Sequence, residues 1–179
     1  DSALSENSVT AEGDVSIKAT FVKKQYDVSF SSSSGGSLSK TLNGVFEVGT
    51  RIEVNAIPNP HYNFVEWQGV ESAIAQNKNL SLNLTESINV NAIFAPVNYN
   101  FTTSTNLETN NSILVSKAGP YNFGQNLSVE ALPIEHYQFS SWSGASQATT
   151  AKIDLTVSGD IMLQANYTKS IYNTSVSPI

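Results

Sequence analysis

The chain alternates between apolar and polar positions. Ile52, Val54 and Ala56 fall on one side of an extended backbone, and Arg51, Glu53 and Asn55 on the other. Leu80, Leu82 and Leu84 are interleaved with Ser81 and Asn83, and Ile88, Val90, Ala92 and Phe94 with Asn89, Asn91 and Ile93. The same rhythm returns at Leu127, Val129 and Ala131, at Ile153, Leu155 and Val157, and at Ile161, Leu163, Ala165 and Tyr167. A period of two, with one apolar face and one Ser, Thr or Asn face, is the pattern of antiparallel strands with one side in water. Turn residues separate the runs: Gly35-Gly36, Asn43-Gly44, Gly49, Asn59-Pro60 and Ser158-Gly159-Asp160. The spacing predicts strands over about 25–30, 37–41, 50–57, 79–84 and 87–94, then over about 97–102, 112–117, 125–132, 152–157 and 160–168. Residues 61–69 are expected to form a short helical turn or an extended crossing, and no amphipathic helix of useful length is seen.

The two strand sets are copies. Ile52-Glu53-Val54-Asn55-Ala56-Ile57-Pro58 returns as Leu127-Ser128-Val129-Glu130-Ala131-Leu132-Pro133, and His61-Tyr62-Asn63-Phe64 as His136-Tyr137-Gln138-Phe139. Trp67-Gln68-Gly69 returns as Trp142-Ser143-Gly144. The strand Ile88 to Phe94 returns as Ile161 to Tyr167 and has an upstream copy, Val15 to Phe21; Tyr26, Tyr99 and Tyr172 each follow one copy. Self-similarity at a fixed period marks a repeat architecture. The frame reads as the C-terminal strands of a preceding repeat (1–24), two full repeats (25–96 and 97–169) and the first strand of a following one (170–179). It implies a longer protein with more copies. Val9, Ala11, Val15, Ile17, Ala19 and Phe21 make an apolar face expected to dock on the next unit or on a neighbouring molecule, because a lone hairpin does not stay ordered. Short linkers predict units lying end to end with little mutual contact.

Composition narrows the functions. The 179 residues include no Cys and carry a net charge of −6, with nine Lys and Arg. No disulfide, thiolate metal site or Cys nucleophile is available. A mildly acidic chain with few basic residues is a poor partner for nucleic acid or an anionic membrane. No apolar run reaches the ~20 residues of a spanning helix. A unit of this size lies near the lower limit for a domain without disulfides or metal. Its aromatics are therefore the expected core: Tyr62, Phe64, Trp67 and Phe94 in the first unit, Tyr137, Phe139, Trp142 and Tyr167 in the second.

The order of these motifs is itself informative. Tyr26-Asp27-Val28-Ser29-Phe30, the Gly35-Gly36 turn, Gly49 leading into Ile52-x-Val54-x-Ala56-x-Pro58, then Phe64-x-x-Trp67-x-Gly69 and Ala92-x-Phe94 resemble the divergent internalin-B-type repeat of bacterial surface and secreted proteins. The resemblance covers essentially the whole chain. It implies an all-β, β-grasp-like unit of about five strands with little or no helix, an extracellular or cell-surface setting, and no catalytic residues or cofactor. In the second unit Thr103-Ser104-Thr105-Asn106 replaces the Gly-Gly turn.

Five residues are candidates for ligand contact. Trp67 and Trp142, each flanked by polar residues including Glu66, either stack on sugars or fill the core. His61 and His136 are equivalent, but one His per unit falls short of the three or four ligands of a zinc site, and both read as turn residues beside a buried Tyr. There is no EF-hand loop and no Gly-x-Ser-x-Gly elbow, leaving only a calcium site built from loop carbonyls as a metal reading. Lys40 and Lys117 are equivalent and would need burial beside Asn and an acid to form a Lys–Asn cross-link. The favoured reading is a non-catalytic stalk or spacer in a secreted or surface adhesin, its partners the neighbouring repeats. The alternative is a glycan- or protein-binding module that acts by avidity through repeated aromatic sites.

Overall fold

The computed structural model describes residues 12–14, 16, 18–107 and 112–171. The first repeat is built from β1 (Gln25–Ser32), β2 (Gly36–Leu38), β3 (Gly44–Glu47), β4 (Arg51–Pro58), β5 (Tyr62–Gln68), a one-turn helix α1 (Ser72–Ala75), β6 (Asn79–Asn83) and β7 (Ile88–Pro96). The second follows with β8 (Asn98–Tyr99), β9 (Phe101–Thr105), β10 (Ile113–Val115), β11 (Tyr121–Asn122), β12 (Asn126–Ala131), β13 (Tyr137–Gly144), β14 (Lys152–Thr156) and β15 (Ile161–Lys169). The fold is all-β, as the alternation predicts.

Each repeat has two sheets whose apolar faces meet, and the second repeat adds a two-stranded β8–β11 sheet. In the first, β3-β1-β7-β5 form a mixed sheet with a parallel β1–β7 pair at its centre, and β2, β4 and β6 form an antiparallel one. The central parallel pair is the β-grasp feature, but a second sheet, not a long helix, packs across it. Val28 and Phe30 of β1 and Val90, Ala92 and Phe94 of β7 face Ile52, Val54 and Ala56 of β4 across one core. The polar alternates, Glu53 and Asn55 among them, stay exposed. The second repeat copies this with a parallel β15–β9 pair and a β10-β12-β14 sheet. Its first strand is interrupted at Asn100, whose backbone N–H donates to Asp160 Oδ1 at 2.8 Å. Asp27 in the first repeat donates in the same way to Ser87 Oγ.

Where the turn chemistry of the two repeats differs, a side chain compensates. Gly36 packs so closely under Phe94 that a Cβ would strike its ring. Beyond β1, the Ser33 hydroxyl accepts a bond from the Phe94 N–H. In the second repeat, Asn106 takes that place. Its amide donates to the Tyr167 carbonyl and accepts from the Tyr167 N–H, both below 3 Å, prolonging the parallel ladder by one side chain.

The structure corrects the sequence reading in three places. Residues 62–68 take the extended form, not the helical turn, and are a full paired strand; β5 and β13 pair antiparallel with β7 and β15 through a bulge after Phe64 and after Phe139. The short strands β3 and β11 pair with β1 and β8, bringing each repeat above five strands. Residues 18–24 form no strand, and Phe21 is 91% exposed. Phe94, the residue that Phe21 matches in the repeated sequence, is instead buried among Gly36 of β2, Phe64 of β5 and the core side chains of β1. Val9, Ala11, Val15 and Ile17 lie outside the described residues.

Candidate functional site

Trp67 and Trp142 are each 1% exposed and lie at the centre of their cores. Phe64 leans on Trp67 at 5.6 Å between ring centroids and on Phe94 at 5.9 Å; Phe139, Trp142 and Tyr167 repeat the arrangement at 5.4 and 5.8 Å. Each indole N–H, buried with its ring, needs an acceptor. Trp67 Nε1 donates to the Asn77 carbonyl at 2.9 Å and Trp142 Nε1 to the Thr150 carbonyl at 3.0 Å. Neither ring offers a face to a sugar, which corrects the platform reading. Area explains it: a unit this small leaves its largest ring no better place than the core. Tyr62, Phe64, Tyr137 and Phe139 are half-buried around these cores.

The Trp-x-Gly spacing has a steric cause. Gly69 and Gly144 adopt φ of +87° and +91°, and a Cβ on either would collide with a strand carbonyl, Asn89 in the first repeat and Met162 in the second. The glycine lets the chain turn off β5 or β13 directly against β7 or β15, which seats the Trp beneath.

Glu66 is half-buried at the β5 bulge opposite Ile93, with no hydrogen bond or ion pair among the described residues. Lys40 and Lys117 are exposed, so the burial that a Lys–Asn cross-link requires is missing. Among the described residues no group of three or more His, Asp or Glu side chains could hold a metal ion.

The histidines have a different place. Both sit in the turn that precedes β5 or β13, and both adopt a left-handed backbone with φ of 65°. This conformation is uncommon outside glycine, though His is among the residues enriched in it. Tyr62 N–H bonds back to the Asn59 carbonyl and Tyr137 N–H to the Ile134 carbonyl, closing the turn. The His61 carbonyl then accepts from Val97 N–H, and the His136 carbonyl from Ser170 N–H, each at 2.8 Å. The left-handed turn thus holds the segment that leaves the repeat.

From this turn the His61 side chain crosses to the second repeat. Its ring lies parallel to Phe123, with centroids 3.5 Å apart and planes 7° from parallel. Its Nδ1 stands 2.8 Å from the Tyr99 hydroxyl. Tyr99 is fixed on β8 opposite Tyr121 of β11, and Phe123 at the β11–β12 turn, where Gly124 N–H donates to the Val157 carbonyl at 2.7 Å. The contact between the repeats is small in extent and specific in chemistry. His136 has an interaction partner as well and is 3.4 Å from Glu135 Oε1.

Phe123 was not among the residues singled out from the sequence. A lone aromatic beside a turn glycine carries no signal there, and only the topology brings it to a histidine of the other repeat. Residues 26–98 and 101–171 each match the family model of the divergent InlB B-repeat domain. No curated protein and no solved structure matches the chain.

Proposed function

Since the chain belongs to the divergent InlB B-repeat domain family, we propose that it is a non-catalytic spacer: a run of folded repeats in a larger secreted or surface-anchored bacterial adhesin, holding another domain away from the cell. The observation that carries this reading is the joint. β7 ends at Pro96 and β8 begins at Asn98, and the one residue between them, Val97, has its N–H bonded to His61. Connections this short, tied at their backbone, suit a rod better than a flexible string of beads. The polar outer faces of β4 and β12 suit an array in which each unit is covered by water, not by a partner. The two histidines sit one per repeat in turns that organise the chain. The partners that this reading assigns are the repeats on either side.

Small-angle scattering of the chain tests the reading. A spacer gives a maximum dimension well above that of a sphere and a radius of gyration clearly above the compact-globule value, about 16 Å for this length. A radius at that value, with a globular distance distribution, overturns it.

A further inference from the structure

We infer that the contact of His61 with Phe123 and Tyr99 is an interface that couples the folding of the two repeats, so that each is more stable when its neighbour is folded. This goes beyond a spacer role, which independent units on short links would equally fill.

Three observations converge on it. First, Phe123 does no work in its own core: it is 49% exposed even with the histidine on it, and it is absent from the cluster around Trp142. An aromatic ring held at a turn, outside the core, is accounted for by what it touches, and it touches the other repeat. Second, His61 occupies a left-handed position that glycine would take with less strain. The backbone requirement alone does not select histidine; the stacked ring and the hydroxyl within hydrogen-bond distance do. Third, the register shows that the aromatic is particular to this boundary. Gly49 N–H bonds the Leu84 carbonyl as Gly124 N–H bonds the Val157 carbonyl, which makes Val48 the counterpart of Phe123. Tyr26, facing Phe46, likewise matches Tyr99, facing Tyr121. The upstream face of the first repeat therefore keeps the tyrosine but offers an aliphatic side chain where the second offers a flat ring. Phe123 is the specialised half of the interface, and the partner it fits is the histidine turn of the repeat before it.

A stacked ring pair and one hydrogen bond between already ordered turns should together change an equilibrium constant by about tenfold. Native-state hydrogen exchange of the intact two-repeat chain reads this out unit by unit. With Phe123→Ala, which removes the stack and leaves the hydrogen bond, the β4 amides of the first repeat should exchange about threefold to fivefold faster, although the substitution lies in the second. Protection of β12 in the second repeat, retained, shows that the variant is folded. Tyr99→Phe should give a smaller effect in the same direction, about threefold. Trp142→Ala, which unfolds the second repeat outright and so removes both contacts, should raise first-repeat exchange about tenfold, and adding Phe123→Ala should raise it no further. First-repeat exchange that stays within about twofold of the unaltered chain in both Phe123→Ala and Trp142→Ala overturns the coupling. It would leave the spacer reading untouched, since that reading rests on shape.

Discussion

His61 and Phe123 stack face to face at 3.5 Å, one ring from each repeat, and the histidine is held there by a left-handed backbone. Side chain and backbone make opposite contributions at this residue. The left-handed conformation costs about 1–2 kcal/mol in a non-glycine residue, while the ring contact and the hydrogen bond return a similar amount. His61→Ala keeps the strain and loses the contacts, so the first repeat should lose about 1–3 kcal/mol. His61→Gly loses the contacts and the strain together and should fall within about 1 kcal/mol of the unaltered chain. Urea titration of both variants checks the order; a glycine variant weaker than the alanine one would contradict the account.

Gly69 and Gly49 separate steric from conformational cost. Both have positive φ, but a Cβ at Gly49 meets open space, whereas one at Gly69 meets the Asn89 carbonyl. Gly49→Ala should cost only the left-handed penalty, about 1–2 kcal/mol. Gly69→Ala should cost about 1–3 kcal/mol more, because backbone must move. Thermal melts of the two variants should differ accordingly, and equal melting temperatures would remove the steric explanation of the Trp-x-Gly motif.

Trp67→Ala removes the largest buried ring of the first repeat and should cost about 3–5 kcal/mol. A unit of ~70 residues has roughly 4–10 kcal/mol in all, so the first repeat should largely melt while the second loses only what the joint contributes. Remaining fluorescence, from Trp142, follows the second repeat. A variant melting within about 2 °C of the unaltered chain would contradict the core placement, since 1 kcal/mol shifts a unit of this size by about 4–8 °C.

Tyr167 occupies the register of Phe94 and adds a hydroxyl that donates to the Leu132 carbonyl at 2.7 Å and to the Ser112 carbonyl at 3.3 Å. Tyr167→Phe fits the space, as Phe94 does in the first repeat, but leaves a carbonyl without its donor, and should cost about 1–2 kcal/mol. Burial pushes this hydroxyl above its ordinary range, partly opposed by the side chain of Ser112. The folded state therefore holds the proton more tightly than the unfolded one. The group's contribution is complete below the unfolded value of about 10 and declines as pH rises above it through the raised folded value. In Tyr167→Phe this alkaline decline of second-repeat stability should shrink, as urea titrations on either side of pH 10 would show; an unchanged decline would count against it.

The core strands were legible because β4, β6, β7 and their copies keep one face apolar without interruption. β5 and β13 were not. The bulges after Phe64 and Phe139 set two residues against one on the neighbouring strand, which breaks the period-two signal within the strand. β3, four residues long and bounded by Gly44 and Gly49, is hidden by its own turn signals. The histidine turns were legible as turns, from Asn59-Pro60 and from equivalence between repeats. What His61 touches was not, since Phe123 lies in the other repeat, and no local pattern encodes a contact over that separation.

The tie between each indole and the loop beside it reads only a main-chain carbonyl: Asn77, ten residues after Trp67, in one repeat, and Thr150, eight residues after Trp142, in the other. Every amino acid brings that same oxygen, so the tie places no demand on side-chain identity. One repeat carries a helical turn in this loop and the other none, at no loss to the buried tryptophan. The loop's remaining obligations are the few side chains that touch the core, Val70, Ile74 and Ala75 in one repeat and Ala148 and Ala151 in the other. Between those anchors new sequence, an epitope or an added stretch of chain, can be accepted while the repeat beneath stays the same.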